Sequence, residues 1–556
     1  MKKVMVLMLV AAVVVSAIFL ASCGKKQTHV PAVASTSADV PGWTLNADKP
    51  IRFDWYIHYS WFNRQWGESR VSKYVTAKTG VDLRFIVPAG NEAERLNAMI
   101  AGNALPDFIT LWWGESQIPM MIDAGLVYPL NELAEQYDPF FFAVANKEKL
   151  AWHAHTDGNT YGYPNASFSS TDMELFSGMI PSTQTFLVRK DMYEAIGSPD
   201  MTTPDGFLNA LRAARDKFPT IGGQPVIPLG LGEFDAGGNG YLQGYLLNFL
   251  AIPPETQDGM YYDPELGPNH HDYVTWLKTI RQAASEGLIS MEVFVDKRSQ
   301  IEEKAAQGRY FAILYSSGDM EPPQVARYAI DPDTVYIAVD GPRNSRGDPH
   351  TLAGEGITGW TLTLISKNVK DRARAIQFMS YLISEEGQMD LYFGVPENNP
   401  FGMEPTFTWV DGTPTLLPEI EEMQVGNINR QEIEIGAQFT YWMLMDSTFD
   451  HRFPKVLPPV VKQPQIWTFP FLKSFDIYDR LEMEPGSEYS AILETIRQRW
   501  GRDLPKLILA GTEAEFDQIW NDFQAFKMAQ GYERLQAKQT ELMNRNKAAL
   551  QAMRNR

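Results

Sequence analysis

Tyr59, Trp61, Trp112, Trp113 and Glu115 fall at or just past the ends of short β-patterned segments, where a side chain is free to meet a ligand. Sugars offer apolar C–H faces to aromatic rings and hydroxyl edges to planar polar groups, so a cleft rimmed by Trp and Tyr with a few Asp, Glu and Asn suits them. The same residue types recur at Tyr163, Asn165, Glu233, Asp235, Tyr315, Asp319, Trp360, Asn398, Asn399 and Trp442, and these fifteen positions together are the candidate ligand-binding set. Trp55 and Tyr56 alternate along a strand, so at least one of them belongs to a core and both are left out.

Signals for bond-making chemistry are weak by comparison. The chain has no Walker A motif, no HExxH, no CxxC pair and no GxSxG nucleophile elbow. His153-x-His155, His270-His271 and Asp331-Pro332-Asp333 could touch a metal, but adjacent His in acidic loops are usually solvated and the Asp run lacks EF-hand spacing. No metal and no cofactor is expected. A glycoside hydrolase needs two carboxylates about 5–9.5 Å apart. With 68 acidic residues, a pair such as Glu233 and Asp235 can always be nominated, so that reading carries little information.

The elements that must position these side chains follow from periodicity. Ile51–Ile57 reads as a strand, Val71–Lys78 as a helix stopped by Gly80, and Val81–Val87 as a second strand. Asn91 begins a helix with Leu96, Met99 and Ile100 on one face, and Phe108–Leu111 is a third strand. This strand–helix alternation predicts a parallel α/β sheet, in which ligands bind beyond the carboxyl ends of the strands. A second set runs through strands at Phe186–Arg189, Pro228–Leu231, Arg309–Tyr315 and Thr334–Val339, with a helix capped by Thr203 and opened by Pro204. Ile357–Ile365 returns to strand, Lys370–Glu386 is a helix ended by Gly387, and Glu513–Met553 is a long charged helix begun by a Thr512/Glu515 capping box. The chain of 556 residues is two or three domains' worth. Its net charge of −19 argues against a nucleic-acid partner, because phosphate binding needs clustered Lys and Arg.

The N-terminus carries a separate signal. Lys2 and Lys3 precede an almost wholly apolar run from Val4 to Ala21, then Leu20-Ala21-Ser22-Cys23-Gly24. This sequence resembles the lipobox of bacterial lipoproteins, in which the Cys is lipidated and becomes the first residue. The resemblance implies a signal peptide over residues 1–22 and lipidation of Cys23, the only Cys in the chain. Two or more acyl chains anchor a protein stably. Residues 23–48, rich in Ala, Ser, Thr and Pro, read as a flexible tether.

Several phrases then occur in order. They are Thr79-Gly80-Val81, Arg95 to Asp107 (RLNAMIAGNALPD), Gly125-Leu126-Val127, Tyr161-Gly162-Tyr163-Pro164, Val188-Arg189-Lys190-Asp191, Gln307-Gly308-Arg309 and Ile365-Ser366-Lys367. Together they resemble the family 1 extracellular solute-binding lipoproteins of bacterial ABC importers, in the large subgroup that handles oligosaccharides. The resemblance runs from about Ile51 to Phe393 and departs from the family pattern at Leu352 to Gly359. It implies a two-lobed periplasmic-binding-protein-like fold (type II, α/β), with hinged lobes around a ligand cleft and extra C-terminal helices. Lobe 1 is expected over 49–175 and 357–400, and lobe 2 over 176–356 and 401–556, with crossings near 165–185, 355 and 400. It implies a monomeric receptor, lipid-anchored on the extracytoplasmic face of the cell membrane (outer surface or periplasm), that passes an oligosaccharide to ABC permease subunits and does no chemistry. A ligand-binding lipoprotein feeding a sensor kinase is the alternative.

Overall fold

The computed structural model describes residues 33–35, 37–426, 428–437, 443–453 and 457–554. Two separate sheets organise it. In the first, the strands run in the order Val81–Ile86, Ile51–Ile57, Phe108–Trp112, Thr361–Ile365, Gly162–Pro164. The first three are parallel, as alternating strand and helix require; Thr361–Ile365 then enters antiparallel to both of its neighbours. The second sheet has the order Tyr336–Ala338, Gln184–Arg189, Tyr310–Ser316, Ile227–Leu231. Both sheets are therefore mixed rather than purely parallel.

Each sheet has its own core. Phe53, Trp55, Phe108, Phe378 and Tyr381 are buried with the first, and Phe186, Trp276, Phe311, Leu314 and Trp500 with the second. The local signals act as physical chemistry predicts. Ser69 accepts a hydrogen bond from the Ser72 amide to start helix Arg70–Thr79, and Gly80 ends it at a left-handed φ of 70°. Thr203 caps helix Pro204–Lys217 with Pro204 in its first turn.

The chain passes from the first sheet to the second between Pro164 and Gln184 and returns between Ala338 and Thr361. The last crossing differs from the expectation near residue 400. Phe407, Ile420, Ile435, Met443 and Phe449 are buried in the first core, and packing shifts to the second side only at Val460 and Val461, which join Val325 and Val335. The described residues between 401 and 453 therefore pack with lobe 1. The Phe407–Val410 and Thr413–Leu416 hairpin that opens this segment is too short and polar to make a core alone.

Three other expectations are corrected. The described part of the expected tether, residues 33–35 and 37–48, is not free: Trp43 is 2% exposed, packs edge-on against Phe140 and Tyr381, and lies in the 3-10 turn Gly42–Asn46. Gly387 does not end a helix. Ser384 breaks the run into Arg372–Ile383 and Glu385–Tyr392 and caps the second helix through the Gly387 amide. The long charged tail is likewise two helices, Glu513–Ala529 and Tyr532–Arg554, parted at Gly531, whose φ is 95°.

Among the described residues no helix is long and apolar enough to cross a membrane. Residues 1–32, including Cys23 and the apolar run before it, lie outside the described residues.

Candidate functional site

A cavity of about 870 Å³ opens between the two sheets. The first lobe lines it with aromatic side chains, and strand register brings them together. Tyr59 and Trp61 follow the carboxyl end of Ile51–Ile57, and Trp112 and Trp113 stand at the end of the neighbouring Phe108–Trp112. Because Thr361–Ile365 runs the opposite way, its first residue pairs with Trp112, and Trp360 arrives at the same sheet end. The Trp113 amide donates to the Trp360 carbonyl, and the Trp360 amide to the Asn165 carbonyl at 2.9 Å.

The rings form a wall. Tyr59 lies 5.2 Å from Trp61 and 5.3 Å from Trp360, and Trp61 lies 5.9 Å from Trp360 with the two planes only 14° apart. Trp112 and Trp113 are 5.0 Å apart. Trp61 and Trp112 keep 41% and 37% of their surface exposed, unusual for side chains of this size. The Tyr59 hydroxyl is buried with no hydrogen-bond partner among the described residues, and burial pushes its pKa far up.

The second lobe supplies charge. Ser316 closes strand Tyr310–Ser316, and its hydroxyl accepts from the Asp319 amide at the start of helix Ser317–Ile330. This places Asp319 on the cavity wall, where Tyr241 donates to it at 3.3 Å and the Arg298 guanidinium approaches to 3.0 Å. Burial raises the Asp319 carboxyl, with Arg298 opposing. Arg298 opens helix Arg298–Ala306 and also donates to Glu302 at 2.6 Å. Burial alone would lower its pKa, but Asp319 and Glu302 outweigh that and hold it above its ordinary value. The same guanidinium lies over Trp61, 5.2 Å from the ring centre, and so spans the cleft.

Three more titratable groups line the cavity, Glu355 on the second crossover and His451 and Asp479 further along the chain. Glu355 lines the cavity and is pushed up to about 8, first by burial and then by Asp450. Asp479 lines it too and is pushed up to about 8 by burial and by Asp476. His451 is lowered by burial.

Six of the fifteen candidate positions line the cavity: Tyr59, Trp61, Trp112, Trp113, Asp319 and Trp360. Eight others lie off the cavity lining, and one lies outside the described residues. Tyr163 is a core residue whose hydroxyl accepts from the Asn146 amide. Asn165 is fully buried and donates to Thr361 Oγ1, stitching the strands behind the wall. Tyr315 is buried under Tyr241, their ring centres 4.7 Å apart. Glu115 sits beside the wall rather than on it, 3.8 Å from His58 Nε2, its pKa raised by burial. Glu233 is half-buried in the loop after Ile227–Leu231, and Asp235 is an exposed turn residue accepting from the Gly237 amide. Asn398 is exposed, and Asn399 ties its own loop to Pro396 and Met403. Trp442 lies outside the described residues. Sequence reasoning missed Arg298, Glu355 and Asp479. The Gly354-Glu355-Gly356 triplet, where the chain departs from the family pattern, is the one local signal that could have drawn attention to Glu355. Among the described residues there is no group of three or more His, Cys, Asp or Glu able to hold a metal ion.

Two α/β lobes linked by crossovers around a lined cleft define the periplasmic-binding-protein-like class, with a helical C-terminal part. The chain belongs to the bacterial extracellular solute-binding protein family, whose model matches residues 70–395. Solved structures share the fold at low identity. The ABC-transporter substrate-binding protein FusA of S. pneumoniae, in complex with kestose, is 17% identical with a TM-score of 0.67, over 90% of this chain and 100% of that one. The alginate-binding protein AlgQ2, without calcium ion, is 17% identical with a TM-score of 0.62, over 89% and 98%. An HMO-binding, ABC-transporter-associated solute-binding protein from Bifidobacterium longum infantis is 15% identical with a TM-score of 0.58, over 89% and 99%. No curated protein matches the sequence.

Proposed function

We propose that this protein is a lipid-anchored extracytoplasmic receptor that captures an oligosaccharide between its lobes and delivers it to an ABC permease. The observation that carries this reading is the facing of the Tyr59, Trp61 and Trp360 wall on one lobe by Arg298 and Asp319 on the other. Aromatic rings take the C–H faces of a sugar, and the charged pair offers donors and acceptors to its hydroxyls. FusA is described in complex with kestose, and the other relatives as binding alginate or HMO, which supports a saccharide ligand. The cavity of about 870 Å³ has room for several sugar rings.

A ligand that touches both lobes favours closure by its differential affinity for the closed state, and the closed surface is what a permease reads. The three crossovers are the hinge. The protein works as a monomer and performs no bond chemistry. Cys23 carries the lipid and keeps the receptor at the membrane.

The test is a thermal-shift screen of purified protein against oligosaccharides, followed by calorimetry and product analysis of any hit. A ligand at 100 times its Kd adds about 2.7 kcal/mol of stability, which a melting curve resolves. A rise in Tm with the sugar recovered intact supports the receptor. Hydrolysis of that sugar, abolished by replacing a pair of cleft carboxylates, would establish a glycosidase instead. For the anchor, Cys23→Ala is expected to release the protein from the membrane fraction and to end fatty-acid labelling; retention of the variant in membranes defeats that part.

A further inference from the structure

The charge of the cleft narrows the ligand class, an inference that rests on the carbohydrate reading above. Asp319, Glu355, Asp450 and Asp479 line the cavity, and among its described lining residues Arg298 is the one Lys or Arg. Arg298 is already engaged by Asp319 at 3.0 Å and Glu302 at 2.6 Å, so it offers little to an anionic ligand. A carboxylate-bearing oligosaccharide would be seated against further carboxyl groups with no free cation among the described lining residues to answer it, and its own ionisation would be opposed in a partly dehydrated cleft.

Glu355 is the group the protein leaves unanswered. It stands on the crossover between Gly354 and Gly356, partly buried, with its side chain on the cavity wall. Among the described residues none donates a hydrogen bond to it and none forms an ion pair with it. Its principal charged neighbour is Asp450, which is of like sign. A buried carboxyl is normally answered by a donor or a cation. Here the open side is the ligand space.

We propose that the ligand is an amino-bearing oligosaccharide without acidic groups, with the amine seated at Glu355. An ammonium there meets the Glu355 carboxylate and lies in the field of Asp450, while the neighbouring sugar rings reach the Tyr59–Trp360 wall. The burial that raises the Glu355 carboxyl is offset once a cation occupies the site.

The experiment is calorimetry of the purified chain at neutral pH against three probes of equal length: chitosan oligosaccharide, its fully N-acetylated form, and alginate oligosaccharide. The chitosan fragment is expected to bind at least tenfold more tightly than the acetylated one, and alginate not at all. Glu355→Gln keeps the side-chain shape and is expected to erase the preference while leaving affinity for the acetylated fragment. The exposed, off-cleft Asn398→Ala leaves both unchanged. Equal binding of the two amino-sugar forms, tight binding of alginate, or a preference that survives Glu355→Gln would each overturn the proposal. Binding of neutral saccharides without that preference leaves the carbohydrate reading standing. Failure of every saccharide, with circular dichroism showing folded protein, removes that reading and the amine inference with it. If Glu355→Gln does not fold, Glu355→Asp, which withdraws the carboxylate by one methylene, is expected to weaken the preference instead.

Discussion

Arg298 and Trp61 belong to different lobes, and the guanidinium of the first lies 5.2 Å from the ring centre of the second. Trp61 is itself stacked with Tyr59 and Trp360, and Arg298 is held by Asp319 and Glu302, so each partner is braced from behind. A cation–π pair of this kind is worth about 0.5–2 kcal/mol, enough to bias a hinge equilibrium several-fold. The lobes thus touch through protein groups alone.

Loss of that bridge is expected to open the unliganded receptor. Arg298→Ala should lower energy transfer between dyes placed on the two lobes, with Arg298→Lys in between because an ammonium stacks less well. The chain has a single Cys, at position 23, so paired labels at Glu94→Cys and Ile330→Cys report cleanly once Cys23 is replaced. Ile330 is 83% exposed and Glu94 is also on the surface, so neither label disturbs packing. Unchanged transfer in Arg298→Ala would mean that the bridge does not hold the cleft.

Trp360 stacks on both Tyr59 and Trp61 in the aromatic wall. Trp360→Ala is expected to weaken binding of whichever saccharide the screen identifies by about 10- to 100-fold, the worth of a lost stacking ring and of the looser Tyr59 and Trp61 it leaves behind. Asn399→Ala, in a loop away from the cavity, should leave affinity alone. Equal losses in the two variants, read by calorimetry, would place binding elsewhere.

Local patterning carried much of the fold into view. Ile51–Ile57, the Gly80 stop and the Thr203-Pro204 start depend on neighbours within a few residues, and each is legible for that reason. The wall was legible because strand ends collect side chains whatever the rest of the chain does. Tyr163, Asn165 and Tyr315 are buried off the cavity, a placement local pattern does not reveal, because Tyr and Asn are equally at home in a core once a partner is found, and those partners lie on other elements. Arg298 and Glu355 are brought to the wall by tertiary folding across hundreds of positions, and no short-range period encodes that. The packing of residues 33–48 escaped notice because one buried Trp amid Ala, Ser and Thr leaves no periodic trace.

Asp138 gives a pH signature. It is fully buried, and burial pushes it up to about 6 from the usual 3.8, with the Ser380 hydroxyl and the Gly42 amide opposing. The native state therefore holds a proton that the unfolded chain releases. Stability from this group is whole below about pH 4 and falls as pH rises through 6. Asp138→Asn is expected to melt at the same temperature as the parent in acid and higher at pH 7.5, by an amount equivalent to about 2–3 kcal/mol. Chemical denaturation of both proteins across that range measures it. A constant gap between the curves would show that Asp138 does not titrate there.

Trp43 tests whether the N-terminal segment is part of the first lobe's fold. Its ring fills the space between Phe140 and Tyr381, and Asn46, two residues past the same turn's centre, accepts from the Val33 amide and donates to Gln377 at 2.9 Å. Gly42 lies so close to Asp138 that an added methyl would strike the carboxylate, and the turn is thereby locked against the helices behind the sheet. Trp43→Ala is expected to cost about 3–5 kcal/mol, the range for a fully buried large aromatic, and Trp43→Phe much less. Gly42→Ala should also destabilise, through the same contact. Because Trp43 packs in the first core and does not line the cavity, saccharide affinity below the melting range should be unaffected in Trp43→Phe. A Trp43→Ala protein as stable as the parent would show that the segment merely rests on the surface.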